Sequence, residues 1–306
     1  MLASALRMVP LRCYDPLRHA VTRFRRGSLP RGASVAVLKH VAKAHRHLLC
    51  SKVREIRPLD VPDISFEPVD SMVMDAVYWF GVQGYEGMVP DVWVSRCRTA
   101  RSILEIGGNV GIFTIIGARA TRGAYTVVEP VPAIAQVLRN NVRRNGLDQV
   151  QIIEAAAIPG EERADVQLNI PDERRSAPVG AFLAIGSEVH DRAAAQSLSV
   201  TGIPFSELAR GRDLIKIDAE GIEAELLSSA RDLLIAQRTD LLVEVLPDST
   251  RLAGVLRALA EQGGYRIVVI PEWGSDKLIT VAVNDFGADL PRKYNSKDVL
   301  LTLTAD

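Results

Sequence analysis

Cysteine is scarce in this 306-residue chain: Cys13, Cys50 and Cys97 are odd in number, far apart and without a CxxC spacing. Neither a disulfide framework nor a zinc site is indicated, and a reducing, cytoplasmic setting is expected. Long apolar runs are also lacking. None approaches the roughly 18 to 20 residues that span a bilayer. The opening stretch MLASALRMVPLRCYDPLRHA is broken by Arg7, Pro10, Arg12 and Asp15 before a secretory core forms. Aromatic residues make up only 5% of the chain, and the N-terminal residues 1–57 hold few of them for base stacking. There is no net charge, since 37 Lys and Arg balance 37 Asp and Glu.

That balance hides an asymmetry. Residues 1–57 hold 13 basic groups against Asp15 and Glu55, a net of +11, and the remainder carries −11. Such an arm marks a nucleic-acid or membrane-surface contact, or docks on its own acidic body or on the partner subunit of a homodimer. No recognisable nucleic-acid motif accompanies it, so nucleic acid is the less favoured partner. Within the arm, Leu38, Val41, Ala42, His45 and Leu49 recur at helical spacing, predicting an amphipathic helix over 34–51. Its histidines read as parts of that helix rather than as metal ligands.

A proline-punctuated linker, RPLDVPDISFEP, separates a basic helical extension (1–60) from the main domain (61–306). Helices flanking a turn at Gly84–Gly87 are expected first. Strands then follow at 102–106, 125–129, 150–154, 213–217, 240–246 and 265–270, with helices at 110–120, 131–145, 220–231 and 249–262. KLITVAVND supplies a seventh strand. Residues 160–205 interrupt the rhythm as a β-rich insertion and a candidate substrate-side region. Alternating strands and helices imply an α/β fold, a mainly parallel sheet covered on both faces.

The chemistry concentrates at strand ends. After the strand ILEI comes Gly107-Gly108-Asn109-Val110-Gly111, which lacks the G-x-G-x-x-G spacing of a dinucleotide site and the Gly-Lys-Ser/Thr of a P-loop. Glu105 precedes the turn. A carboxylate there repels phosphates and attracts an ammonium, which favours S-adenosylmethionine over a dinucleotide. Glu129, ending YTVVEP, is placed to accept hydrogen bonds from ribose hydroxyls.

DLIKIDAEGIEAELL delivers Asp218 and Glu220 to the carboxyl end of a buried strand, where open parallel sheets hold their ligands. Glu223 reads as an acid favourable to a helix N-terminus. Glu244 interrupts the apolar strand DLLVEV in the same way as Asp218. Asp218, Glu220 and Glu244 gathered together serve either as a general base or as a holder of a divalent ion such as Mg2+. His190, in GSEVHDR, is an alternative base.

In these residues the chain resembles the FkbM family of S-adenosylmethionine-dependent methyltransferases. The likeness runs through GYE (84–86), EIGGNVG (105–111), VVEP (127–130), NVRRNG (141–146), KIDAEGIEAELL (216–227) and LLVEV (241–245), with Gly108 in place of the usual Ala and Glu105 in place of the usual Asp. The resemblance implies a seven-stranded class I methyltransferase (Rossmann-like) sheet, mostly parallel with one antiparallel strand. It implies O-methylation of a sugar, glycolipid or polyketide-type hydroxyl. Glu105, Gly107, Gly108, Asn109 and Gly111 would surround the methionine end, Glu129 would hold the ribose, and Glu86 would approach from a helical lid. Asp218, Glu220 and Glu244 would sit at the transfer centre. Two other classes share parts of the pattern: a nicotinamide-dependent oxidoreductase, and a non-catalytic or nucleic-acid-binding protein on the same fold.

Overall fold

The computed structural model describes residues 10–19, 40–43, 45, 52–171, 181–183, 194–246, 248–271, 277–287, 289 and 293–303. His190, Cys50 and most of the basic arm lie outside them. Among the described residues, helical stretches at 11–19 and 40–43 come first, and the helices α1 (Met72–Phe80), α2 (Gln83–Glu86) and α3 (Val89–Thr99) then lead to the first strand. The turn expected at Gly84–Gly87 is therefore a short helix, ended by Gly87 at φ 59°.

The main sheet then builds up from β1 (Ser102–Ile106), α4 (Ile112–Ala120), β2 (Ala124–Val128), α5 (Pro132–Arg144) and β3 (Gln151–Ile153). β4 (Ala156–Ile158), just ahead of the insertion, pairs with the insertion's own β5 (Ala164–Pro171), β6 (Phe182–Leu183) and β7 (Ala194–Pro204) in a separate four-stranded sheet, followed by α6 (Phe205–Leu208). The remaining elements are β8 (Leu214–Ile217), α7 (Glu223–Ser229), α8 (Arg231–Gln237), β9 (Asp240–Glu244), α9 (Thr250–Gly263), β10 (Arg266–Ile270), β11 (Ile279–Val281) and β12 (Asp298–Thr302).

The main sheet has eight strands in the order β11-β10-β12-β9-β8-β1-β2-β3. This corrects two expectations. KLITVAVND yields only the short edge strand β11, antiparallel to β10, and the strand inserted between β9 and β10 is β12, antiparallel to both. Two strands thus run against the rest, not one. Both fill hydrogen bonds that a parallel connection cannot reach without a further crossover.

Side chains alternate cleanly across the sheet. Leu104, Ile106, Ile215, Ile217, Leu241 and Val243 enter one core with α7 and α9, while Ile103, Leu214, Leu242 and Leu300 enter the other with α1, α3, α4 and α5. Each fully buried aliphatic contributes about 1.5–3 kcal/mol, so the two cores hold the sheet between them. Ile56, Ile64 and Phe66 join the second core, and Ile56 pairs with Phe66 in an isolated antiparallel bridge. No helix among the described residues is long and apolar enough to cross a membrane.

Candidate active site

Everything in the site hangs on where strands end. The β1 chain turns at Gly107, φ 85°, and the amides of Gly107 and Gly108 both donate to Val128 O at the end of β2, at 3.0 and 3.1 Å. A Cβ on Gly108 would stand 2.3 Å from Val127 Cγ2, so the bulk of Val127 explains glycine at this position. Asn109 follows at φ 46°, and its amide donates to Glu129 Oε2 at 2.8 Å. Glu129 Oε1 accepts from Val131 N at 2.9 Å. The Glu129 carboxylate therefore lies across the turn, with lone pairs remaining for a ligand.

The NVRRNG helix end has a structural task. Asn141 accepts from Glu67 N at 2.6 Å and donates to Val110 O at 2.8 Å, while Asn145 exchanges bonds with the Ser65 backbone at 3.0 and 2.7 Å. These amides tie the glycine turn and α5 to the segment that precedes α1.

At the end of β8, Glu223 accepts from the amides of Ala219 (2.8 Å) and Gly221 (3.0 Å), which shapes the turn carrying Asp218 and Glu220. Its reading as a helix-start acid is thus a structural role. Lys216, the one polar residue of β8, reaches Asp218 Oδ2 at 3.1 Å and lies over the Phe113 ring at 4.5 Å. Glu244 comes from the end of β9, directly opposite Asp298 in the β9–β12 register. Lys297 donates to Glu244 Oε1 and, at 3.4 Å, to Glu86 Oε1.

One cavity of about 890 Å³ of empty space, mouth included, joins these strand ends. Gly107, Asn109, Glu129, Asp218, Glu220 and Glu244 all line it, with Tyr85 and Lys297. Four of the carboxylates predicted from sequence thus converge, although they come from β2, β8 and β9. On the insertion side the wall is apolar, from Ala156, Ala157, Leu168 and Leu183.

The other predicted residues stand behind the wall: Glu86, Glu105, Gly108 and Gly111 are not among its lining residues. Glu105 points with Ile103 into the second core, and its Oε2 accepts from Thr114 Oγ1 (2.8 Å) and Tyr125 Oη (2.6 Å). Glu86 is buried and touches the cavity's edge through Lys297. Among the described residues, Glu86 Oε2 and Asp298 Oδ2 have no hydrogen-bond partner.

Lys297 escaped sequence reasoning because the strand it introduces was not recognised. Lys216 left a signal, an isolated cation inside an apolar strand.

Burial dominates the titration of these groups. It pushes the carboxyls of Glu105, Glu129 and Glu223 up to about 7 against their hydrogen bonds. Burial also raises Asp218, but Lys216 and then Lys297 overcome it and hold the carboxyl down to about 2. Glu244 is raised by burial and then by the Asp218 charge, with Lys297 opposing.

Carboxyls raised from about 4.5 to about 7 on folding leave the native state binding more protons than the unfolded chain across that window. Stability therefore falls as pH rises through it. The urea midpoint is expected to be higher at pH ~5 than at pH ~7.5; the opposite order would refute this ionisation pattern.

A family profile for the methyltransferase FkbM domain matches residues 105–267, more than half of the chain and the segment that carries the glycine turn, Glu129, Asp218 and Glu244. The chain belongs to that family. No curated protein sequence matches it significantly. Among solved structures it is similar to a methyltransferase FkbM from Methylobacillus flagellatus KT, at 14% identity and TM-score 0.42, covering 76% of this chain and 55% of that one. The chain thus spans about half the length of that relative. It is also similar to an O-methyltransferase from Bacillus cereus solved in complex with SAH (13%, TM-score 0.39, covering 94% and 97%). A SAM-dependent methyltransferase from Agrobacterium tumefaciens is a third (12%, TM-score 0.42, covering 81% and 70%). Within the FkbM frame, the observed sheet is the seven-stranded class I methyltransferase arrangement with one added edge strand, β11.

Proposed function

We propose that this FkbM-family chain is an S-adenosylmethionine-dependent O-methyltransferase acting on a hydroxyl of a sugar, glycolipid or polyketide-type acceptor. The observation that carries the reading is the charge of the cavity wall. Four acidic side chains, Glu129, Asp218, Glu220 and Glu244, face it against one ammonium, Lys297, with Asp218 held ionised and Glu129 ionising from about 7. Such a wall suits a ligand that brings positive charge and repels a pyrophosphate. S-adenosylmethionine, when bound, supplies a methyl group on a sulfonium that needs no further activation.

The chain's own groups do the rest. Gly107 and Asn109 give the ligand close access to the backbone, Glu129 accepts from ribose hydroxyls, and the buried strand ends exclude water. Asp218 or Glu244 takes the acceptor's proton as the oxygen attacks, so that alignment and proton removal account for the catalysis. A divalent ion fits poorly at Asp218, Glu220 and Glu244, because Lys216 already occupies an oxygen of Asp218 and Lys297 one of Glu244. The apolar wall from the insertion supports an acceptor with an apolar body.

Calorimetry tests the reading directly. S-adenosylmethionine is expected to bind and NAD not to, with affinity rising as pH passes through about 7, where the Glu129 carboxyl ionises. Protons are then released on binding below that pH. Glu129→Gln is expected to weaken binding by roughly 10- to 100-fold, the loss of charge-assisted ribose hydrogen bonds. Absence of S-adenosylmethionine binding at any pH, or preference for NAD, would sink the proposal.

A further inference from the structure

A second cavity lies on the other side of α2 from the strand ends. It encloses about 910 Å³ of empty space, mouth included, and shares no lining residue with the candidate active site. Gln83 faces it, whereas Tyr85, also on α2, lines the other cavity. Its walls are apolar, from Val61 and Ile64 ahead of α1, Val94 on α3, and Ile116 and Ala120 on α4.

The polar groups sort to its two ends. Asp60 and Asp91 stand at the α2 end, and both are engaged there. The amides of Val82 and Gln83 donate to the two oxygens of Asp60 at 3.0 Å each, and Gln83 Nε2 donates to Asp91 Oδ2 at 2.6 Å. Arg98 and Arg119 stand at the far end, Arg98 two helical turns, about 10 Å, along α3 from Asp91.

The two arginines are neighbours because the last turns of α3 and α4 close on each other. A Cβ on Gly117 would lie 3.1 Å from Cys97 Sγ, and Thr121 Oγ1 donates to Ala100 O at 3.0 Å just beyond the arginines. Both are exposed, and neither makes a hydrogen bond or ion pair among the described residues. The helix dipole favours a basic residue in a last turn. That accounts for each arginine singly, but not for both opening onto one apolar cavity.

We propose that this cavity binds a single-chain amphiphile with a phosphate head, its chain between α3, α4 and residues 61–64 and its phosphate held by Arg98 and Arg119. Two guanidinium forks match the nearly two charges of a phosphate monoester and grip its oxygens in pairs. A carboxylate head brings one charge to two cations, and a polar body gains nothing from the apolar walls. The site stands whether or not the methyltransferase reading does.

Calorimetry on the full chain with dodecyl phosphate, kept below its micelle-forming concentration, tests the site. One molecule per chain is expected to bind, at least about tenfold more tightly than octyl phosphate, because each added methylene leaves water. Arg98→Gln combined with Arg119→Gln is expected to weaken it by roughly 10- to 100-fold. Ala120→Phe, which fills the groove and spares the head, is expected to remove the preference for the longer chain. Circular dichroism checks the fold of both variants, and the arginine variant decides alone if Ala120→Phe does not fold.

Absence of saturable binding, equal affinity for the two chain lengths in the parent protein, or an affinity that the arginine variant leaves unchanged overturns the proposal. Displacement by S-adenosylmethionine overturns it as well, because the chain then occupies the cavity at the strand ends. Binding to phosphatidylglycerol vesicles without binding of monomeric dodecyl phosphate assigns the arginines to a membrane surface and overturns the cavity site.

Discussion

Replacing Asp218 with Asn is expected to slow methyl transfer by about 10²- to 10⁴-fold, the usual contribution of a positioned general base, while S-adenosylmethionine affinity stays within a few-fold of the parent. The side chains have nearly the same shape. Asn keeps a carbonyl oxygen for Lys216 and loses the charge that accepts the acceptor's proton. The backbone at this position, whose amide donates to Ile106 O at 3.1 Å, is untouched.

Lys216 loses its ionic partner in this variant. Breaking a buried pair commonly costs about 3–5 kcal/mol, so the measurement pairs single-turnover kinetics with calorimetric cofactor binding on protein shown to be folded by circular dichroism. A rate within tenfold of the parent on the best acceptor of a sugar, glycolipid and polyketide panel would remove Asp218 from the chemistry.

Gly107→Ala is expected to be the most damaging single methyl group in the site. Its Cβ would lie 2.0 Å from the carbonyl oxygen of Asp218, a backbone atom that no rotamer change can move, and φ is +85°. A left-handed conformation costs a residue with a Cβ about 1–2 kcal/mol, and forced overpacking adds about 1–3 kcal/mol. The sum, about 2–5 kcal/mol, is a large part of the stability of an ordinary domain.

Gly146→Ala is the control, with φ +66° and nothing within 4 Å of its Cβ. It carries the conformational cost alone. Urea denaturation should rank Gly107→Ala clearly below Gly146→Ala, and the former should also lose cofactor binding because the ends of β1 and β8 must separate. Equal midpoints for the two variants would show that the turn is not closed as tightly as described.

The parts of the site that were legible in the sequence share one property: the chemical signal and its position are set by the same few residues. An apolar strand followed by Gly107-Gly108-Asn109, an acid ending β2, and Ile-Asp-Ala-Glu-Gly ending β8 each announce a strand end and a polar group at it. Parallel strand ends converge by topology, which is why Glu129, Asp218, Glu220 and Glu244 meet in one cavity.

The residues that were not legible depend on direction or on long-range pairing. Glu105 lies one residue from Ile106, which lines the cavity, yet alternation along β1 turns its carboxylate to the opposite face. Only the pairing of β12 with β9 and β10 reveals that it is the inserted antiparallel strand.

The sequence by itself determined the α/β order, the glycine turn, the acids at the strand ends and the family. Local hydrophobic periodicity and turn chemistry encode these, and they survive without knowledge of neighbours. Only the tertiary structure decided that Lys216 and Lys297 stand between the carboxylates, that Glu86 is reached through Lys297, and that the insertion walls the cavity with apolar side chains. Protonation in a buried cluster is set by the charges within a few ångströms, and here those charges come from residues up to 211 positions apart in the chain.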